Sequence, residues 1–246
     1  MNVLSLFSGV GGLDLGLQRA GMTVVGQVEI RPFCRRVLAK HWPEVPRHDD
    51  VRTCPDWWGA VPRPRVDLVA GGFPCQPTSN AGLRLGDADE RWLWPDMVRV
   101  IVAARPVWVV GENVPGLRTR GLAAVLGDLA RLGYRPRAGV VSACALGAPH
   151  TRTRLFVVAH AVGEGCRPGR LEPGRAGTAD GEHAYWGEPA GSSWWAGGPP
   201  IPGVAHGVPG WLARRRALGN AVVPQVAEHI GRLVVAAAAR DALPTV

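Results

Sequence analysis

Short apolar runs alternate with amphipathic stretches through the first 160 residues. Val3–Leu6, Thr23–Val28, Val66–Ala70, Val107–Gly111, Gly139–Ser142 and Leu155–Ala159 read as strands. Between them, apolar residues recur at helical spacing over Leu13–Ala20, Pro32–Lys40, Leu93–Ala104 and Leu122–Leu132. Apolar strands alternating with helices predict an α/β domain, with a mostly parallel sheet covered on both faces. No internal repeat is visible.

The pattern breaks near residue 160. Between Ala161 and Ala217 there are 13 Gly and 7 Pro in 57 residues, a share past which a packed core is not expected. Helical spacing resumes over Val222–Ala239, with Pro224 near its start. Three segments follow from this: 1–160, a small Gly/Pro-rich region at 161–213, and 214–246, which returns to the first.

The 246 residues suffice for one large core, or a core and a small lobe, and 46% hydrophobic content excludes a wholly disordered chain. No uninterrupted apolar run approaches the ~20 residues that span a bilayer. Met1-Asn2-Val3 leads straight into the first strand, without the basic and apolar regions of a signal peptide. The expected location is therefore cytoplasmic. The cysteines, Cys34, Cys54, Cys75, Cys144 and Cys166, are odd in number and form no C-x-x-C pair. That argues against a disulfide framework or a structural zinc site, so no metal is expected.

Lys+Arg total 28 against 20 Asp+Glu, a formal net charge of +8, and Lys40 is the only lysine. Such an excess suits a polyanionic partner such as nucleic acid; an arginine-rich coding bias explains it equally well. Residues 1–160 hold 20 basic and 13 acidic residues, and 161–217 hold 6 and 5. Any field that attracts nucleic acid therefore comes mainly from the first segment.

Candidate chemistry sits at strand ends. Phe7-Ser8-Gly9-Val10-Gly11-Gly12 follows the first strand and precedes a helix. Glycines there permit a tight turn and close backbone approach to a ligand. Glu29 closes the second strand, where a carboxylate can accept ribose hydroxyls, and Asp50-Val51 can hold an adenine. A plain connection between strand and helix fits the glycine turn alone about as well. The order of glycine turn, acid and second acid favours an adenosyl ligand, and the absent strict G-x-G-x-x-G spacing counts against NAD.

Gly71-Gly72-Phe73-Pro74-Cys75-Gln76-Pro77 follows the strand Val66–Ala70. A cysteine between prolines at the C-terminal end of a sheet strand is well placed as a nucleophile, although most free cysteines are small buried hydrophobes. Thr78–Glu90 reads as a mobile lid. Glu112-Asn113-Val114 brings a carboxyl group to the same crevice as an acid or base. In His150-Thr151-Arg152-Thr153-Arg154 the two arginines, two residues apart, share a face. Gly219-Asn220-Ala221-Val222-Val223-Pro224 makes a turn into the last helix.

In this order the segments FSGVGG, GGFPCQP, ENV, the arginine pair and GNAVVP resemble the motifs of DNA (cytosine-5) methyltransferases of the phage and restriction-modification type. The resemblance spans 1–160 and about 214–240. It implies a Rossmann-like S-adenosylmethionine-dependent sheet, with 1–160 as the catalytic and cofactor-binding domain. The matching cofactor positions are Phe7, Gly9, Gly11, Gly12, Glu29, Ile30, Asp50, Val51, Pro74, Asn220 and Val222. Cys75 matches the nucleophile that attacks cytosine C6, and Glu112 the acid at N3. Arg152 and Arg154 match the pair that stabilises charge near the target base. The base must leave the duplex to reach them. Residues 76–90 match the loop that closes over it, with Gln76, Ser79 and Arg84 as DNA contacts.

One departure is marked. The family's target-recognition region is usually longer, and here only 161–213 remain, with 3 basic and 5 acidic residues. Trp194-Trp195 are packing anchors or wedges. His206–Pro209 with Arg214, Arg215 and Arg216 resemble a reduced form of the family's next motif, and the three arginines are candidate phosphate contacts. The expected protein is a monomeric DNA (cytosine-5-)-methyltransferase acting on duplex DNA. The alternatives are a catalytically impaired relic that binds cofactor or DNA, and an RNA cytosine-5 methyltransferase.

Overall fold

The computed structural model describes residues 1–74, 92–162 and 218–241. Among these, one mixed sheet holds seven strands: β1 (Asn2–Leu6), β2 (Thr23–Val28), β3 (Arg47–His48), β4 (Leu68–Gly71), β5 (Trp108–Asn113), β6 (Tyr134–Val141) and β7 (Arg154–Ala161). Their spatial order is β3-β2-β1-β4-β5-β7-β6. The first five run parallel, and β7 is antiparallel to both β5 and β6. The helices are α1 (Gly12–Arg19), α2 (Pro32–His41), α3 (Cys54–Gly59), α4 (Trp94–Ala104), α5 (Leu117–Arg120), α6 (Leu122–Arg131) and α7 (Pro224–Asp241).

Strand alternation sorts the core into two layers. Leu4 and Leu6 of β1 pack with Val69, Val109, Trp94, Met97, Ile101 and Leu129 on the α4–α6 side. Val3 packs with Leu68, Val110, Phe156, Leu17 and Ile230 on the α1–α7 side. Fully burying a side chain of this size is worth ~1.5–3 kcal/mol, so both layers hold the sheet.

α7 reaches α1 through small residues. A Cβ on Gly16 would lie 2.3 Å from Pro224 O and 2.4 Å from the Ala227 Cβ. One on Gly231 would lie 2.7 Å from the Ala20 Cβ. Only glycine lets the two helices approach this closely. The stretch Leu218–Arg240 is long and apolar enough to cross a membrane by length and composition. Its Val226, Ala227, Ile230 and Val234 are instead buried in the α1–α7 layer.

The sequence pattern locates the long elements and misses the marginal ones. β6 begins at Tyr134, not Gly139. Arg135, Pro136 and Arg137 hide it, yet they suit an edge strand that pairs on one side only. β4 covers Leu68–Gly71 instead of Val66–Ala70. The two-residue β3 and the short α3 and α5 carry too little periodicity to be read.

Chain connections leave β1 and β4 in opposite directions, since β2 and β3 lie to one side and β5 to the other. The crevice beyond their C-terminal ends is the topological switch point, where open α/β sheets bind ligands.

Candidate active site

The crevice opens on the turn after β1. Phe7 (φ 53°), Gly9 (φ 57°) and Gly11 (φ 85°) all adopt left-handed backbone. The turn is closed by Gly11 N–H donating to Ser8 O at 2.9 Å. A Cβ on Gly9 would find only Phe7 O, at 4.0 Å, so this side of the turn is open to a ligand. A Cβ on Gly12 would lie 2.2 Å from Val222 O, so the turn before α7 seats directly on this glycine.

Glu29, just beyond β2, is buried. Its Oε2 accepts from Gly9 N–H and its Oε1 from Arg31 N–H, both at 2.8 Å. The carboxylate thus braces the glycine turn, and each oxygen has a further lone pair for a hydroxyl. Ile30 beside it is 64% exposed, an apolar surface at the rim. Asp50, after β3, caps a short 3-10 turn by accepting from Arg52 N–H at 2.9 Å. Val51 is buried in the core, so its side chain packs inward. Carboxylate acceptors therefore lie at the ends of β2 and β3, beside the glycine turn after β1. Asn220 is exposed and Val222 buried, the latter on Gly12.

The second part of the crevice lies beyond β4 and β5. Glu112 is buried, with Oε1 2.9 Å from Arg154 Nε. Burial pushes its carboxyl pKa up, and the charges of Arg154 and Arg152 pull it back. A Cβ on Gly72 would lie 2.8 Å from Glu112 Oε2, so glycine makes room for the acid. Asn113 Nδ2 donates to Phe73 O at 3.0 Å, and Asn113 Oδ1 accepts from Val114 N–H at 2.8 Å. Asn113 thereby ties the strand bearing Glu112 to the segment ending at the half-buried Pro74. Phe73 is wedged against Trp94 and Trp92, with ring centroids 5.1 and 5.8 Å apart.

Both arginines act on Glu112, by different routes. Arg154 starts β7 and binds the carboxylate directly. Arg152 has φ 24°, and its Nη2 donates to Gly219 O at 2.9 Å and Ala221 O at 2.5 Å. It fastens the turn before α7 to the segment entering β7. Burial and the neighbouring Arg154 lower its pKa, and Glu112 opposes this.

Cys75, Gln76, Ser79, Arg84, Arg214, Arg215 and Arg216 lie outside the described residues. Sequence reasoning missed the clamp by Asn113, the room left by Gly72, and the buried group of Ser5, Asp14 and Gln27. Asp14 in a first helical turn reads as an ordinary solvated helix-start acid, so no local signal marks it.

An open glycine turn with nearby carboxylates, beside a buried acid whose pKa burial raises and which guanidinium groups flank, can orient a bound group and support acid–base chemistry. Residues 1–177 match the family described as C-5 cytosine-specific DNA methylase. The chain is similar to the Type II methyltransferase M2.BsuMI of Bacillus subtilis, 36% identical over 168 residues, 65% of this chain and 42% of that one. It is also similar to M.AquIA of Picosynechococcus sp., 32% identical over 180 residues, 66% of this chain and 73% of that one. Among solved structures, it resembles one described as a DNA modification methyltransferase encoded within an Escherichia coli prophage. That likeness has TM-score 0.54 and 29% identity, covering 65% of this chain and 47% of that one. The S. pombe Dnmt2 methyltransferase shares the fold, with TM-score 0.56 and 23% identity over 67% of this chain and 52% of that one. The chain spans less than half the length of several curated relatives, 42% for both M2.BsuMI and M.BsuRI.

Proposed function

The chain belongs to the C-5 cytosine-specific DNA methylase family, and from that premise we propose that it transfers a methyl group from S-adenosylmethionine to C5 of cytosine in duplex DNA. The observation that carries the reading is the Glu112–Arg154 pair, with Glu112 Oε2 over Gly72. That glycine lies three residues before Cys75 in a segment tied down by Asn113.

The rim fits an adenosyl group. The open left-handed turn at Gly9 is a backbone cradle, Glu29 offers lone pairs for ribose hydroxyls, and Asp50 stands beyond it for the adenine. Phe7, Gly11, Gly12, Ile30, Val51, Pro74, Asn220 and Val222 complete the candidate set. When bound, S-adenosylmethionine supplies an electrophilic methyl group to C5.

The chain's own residues prepare the ring. The Cys75 thiolate forms a bond to C6, and the displaced ring electrons make C5 nucleophilic. Glu112, whose carboxyl pKa burial pushes up, hydrogen-bonds or protonates N3 and limits the charge on the ring. Arg154 holds Glu112 in place, and N–H groups of Arg152 not committed to Gly219 and Ala221 stabilise charge at O2. Loss of the C5 proton to water and cleavage of the C6–S bond release 5-methylcytosine and restore the thiolate.

Duplex DNA is the partner, met by a monomer in the cytoplasm. Residues 1–160 are the catalytic domain, 161–213 a reduced recognition region, and 214–246 the return to the catalytic domain. Gln76, Ser79, Arg84 and Arg214–Arg216 are the proposed DNA contacts. Neutralising the three arginines lowers the salt slope of log K by about 0.9 for each phosphate they pair with.

Labelled methyl transfer to duplex DNA, single-stranded DNA and tRNA tests the reading, with bisulfite sequencing of DNA from expressing cells. Methyl groups on duplex cytosine support it. Transfer to tRNA alone assigns an RNA enzyme, and cofactor binding without transfer to any of the three assigns a relic.

A further inference from the structure

Beneath the glycine turn lies a buried carboxylate that the proposed reaction does not use. Asp14, in the first turn of α1, is 0% exposed. Ser5 Oγ donates to its Oδ1 at 2.5 Å, and Gln27 Nε2 donates to its Oδ2 at 2.7 Å. Ser5 Oγ lies 2.8 Å from Ser8 Oγ, inside the turn. Ser8 also has Ser5 O at 3.2 Å and Val28 O at 3.4 Å within reach. The other side-chain atom of Gln27, Oε1, is buried without a partner.

The proton count fixes a direction. A hydroxyl has one proton to donate. While Asp14 is ionised, Ser5 gives its proton to Asp14, and Ser8 therefore gives its own to Ser5. This charge-assisted chain pulls the turn down onto the sheet. When Asp14 gains a proton, one partner must turn. Flipping the Gln27 amide would bury an NH2 group where the unpartnered Oε1 now sits. Rotating Ser5 strands no further group, because Ser8 can then donate to either of its two carbonyls. Those contacts are longer, so they hold the turn less firmly.

We propose that Asp14 is a positioning residue for the cofactor: ionised, it draws Ser5, and through it Ser8, into a chain that holds the Phe7–Gly12 turn in its binding shape. The inference rests on the S-adenosylmethionine assignment above. Burial raises the Asp14 pKa to about 6, opposed by Ser5, Gln27 and its own backbone N–H and aided by Glu29. Across Gly16, α7 carries Glu228, paired with Arg232, and His229, whose pKa burial lowers. The chain is therefore intact at neutral pH and reversed in mild acid.

The test is calorimetric binding of S-adenosylhomocysteine at pH 7.5 and pH 5, with thermal melts to establish folding. For the unaltered protein, Kd should rise roughly three- to tenfold on acidification, as the competent fraction falls. Asp14→Asn has one donor and one acceptor, so with Gln27 unflipped it enforces the reversed chain. It should show the weakened Kd at both pH values. A folded Asp14→Asn that matches the unaltered Kd at pH 7.5, or keeps the same pH slope, overturns the proposal. If Asp14→Asn does not fold, Ser8→Ala decides, because it cuts the chain at the turn and leaves the partners of Asp14 in place. A flat, weakened profile supports the proposal, and an unaltered profile overturns it. No binding by the unaltered protein at either pH removes the cofactor assignment itself. Tight but pH-independent binding removes only the role of Asp14.

Discussion

Arg154 Nε closes on Glu112 Oε1 at 2.9 Å, yet the net push on Glu112 is toward the protonated form. Burial is the larger influence, and the two arginines offset only part of it. The ion pair therefore orients the acid while offsetting only part of the upward shift that burial causes. That balance suits the acid role proposed for Glu112.

Glu112→Gln should keep a hydrogen-bond donor in place but no transferable proton. Methyl transfer should fall ~10²–10⁴-fold, measured as a single turnover with enzyme in excess. Retention of full rate would show that Glu112 only shapes the crevice.

Cys75→Ser should abolish transfer, and duplex DNA containing 5-fluorocytosine should trap a covalent adduct on Cys75. The structure narrows the alternatives. Cys34 and Cys54 are buried, and burial raises both thiol pKa values, that of Cys54 to about 12. Cys144 is exposed. Cys166 lies outside the described residues, and peptide mapping that placed the adduct on Cys144 or Cys166 would displace Cys75 as nucleophile.

Arg152→Lys should loosen the turn before α7. An ammonium cannot reproduce the fork that serves the carbonyls of Gly219 and Ala221. Each bond to a charged donor is worth ~1.5–3 kcal/mol. Hydrogen exchange should accelerate over residues 218–223 while the centre of α7 stays protected. Equal exchange in the two proteins would mean that Arg152 does not fasten this segment.

Asp14→Asn should flatten the pH dependence of stability. The Asp14 pKa is about 6 when folded, against an ordinary value of 3.8. Its contribution is therefore full below 3.8 and is lost as pH rises through about 6. Near pH 8 the ionised group costs the fold roughly 1–3 kcal/mol. The variant should gain a few degrees in Tm relative to the unaltered protein at pH 8, and less at pH 5. Glu112 shifts in the same direction, so the difference between the two proteins isolates Asp14. A gain independent of pH would contradict the buried charge.

The core strands were legible because burial on both faces leaves an apolar run that needs no partner to be recognised: Val3–Leu6, Thr23–Val28, Leu155–Ala159. The positions of the glycine turn, Glu29 and Glu112 were legible because they directly follow or close the apolar strands, at the C-terminal ends of β1, β2 and β5. Arg135, Pro136 and Arg137 concealed half of β6, since an edge strand answers to one neighbour and tolerates polar residues and a missing N–H.

Sequence alone therefore determined the α/β layering and the chemical types at the strand ends, because both follow from local spacing of apolar, glycine and acidic residues. Only the tertiary structure decided who holds whom. It gave Glu29 to the Gly9 amide, Arg154 to Glu112, Arg152 to the carbonyls before α7, and Asp14 to Ser5 and Gln27. These partners come from separate strands, helices and turns, and their pairing depends on strand order and register. A carboxylate reads the same in sequence whether water or a buried hydroxyl will meet it. Packing removes the water and leaves the protein donor as its only partner.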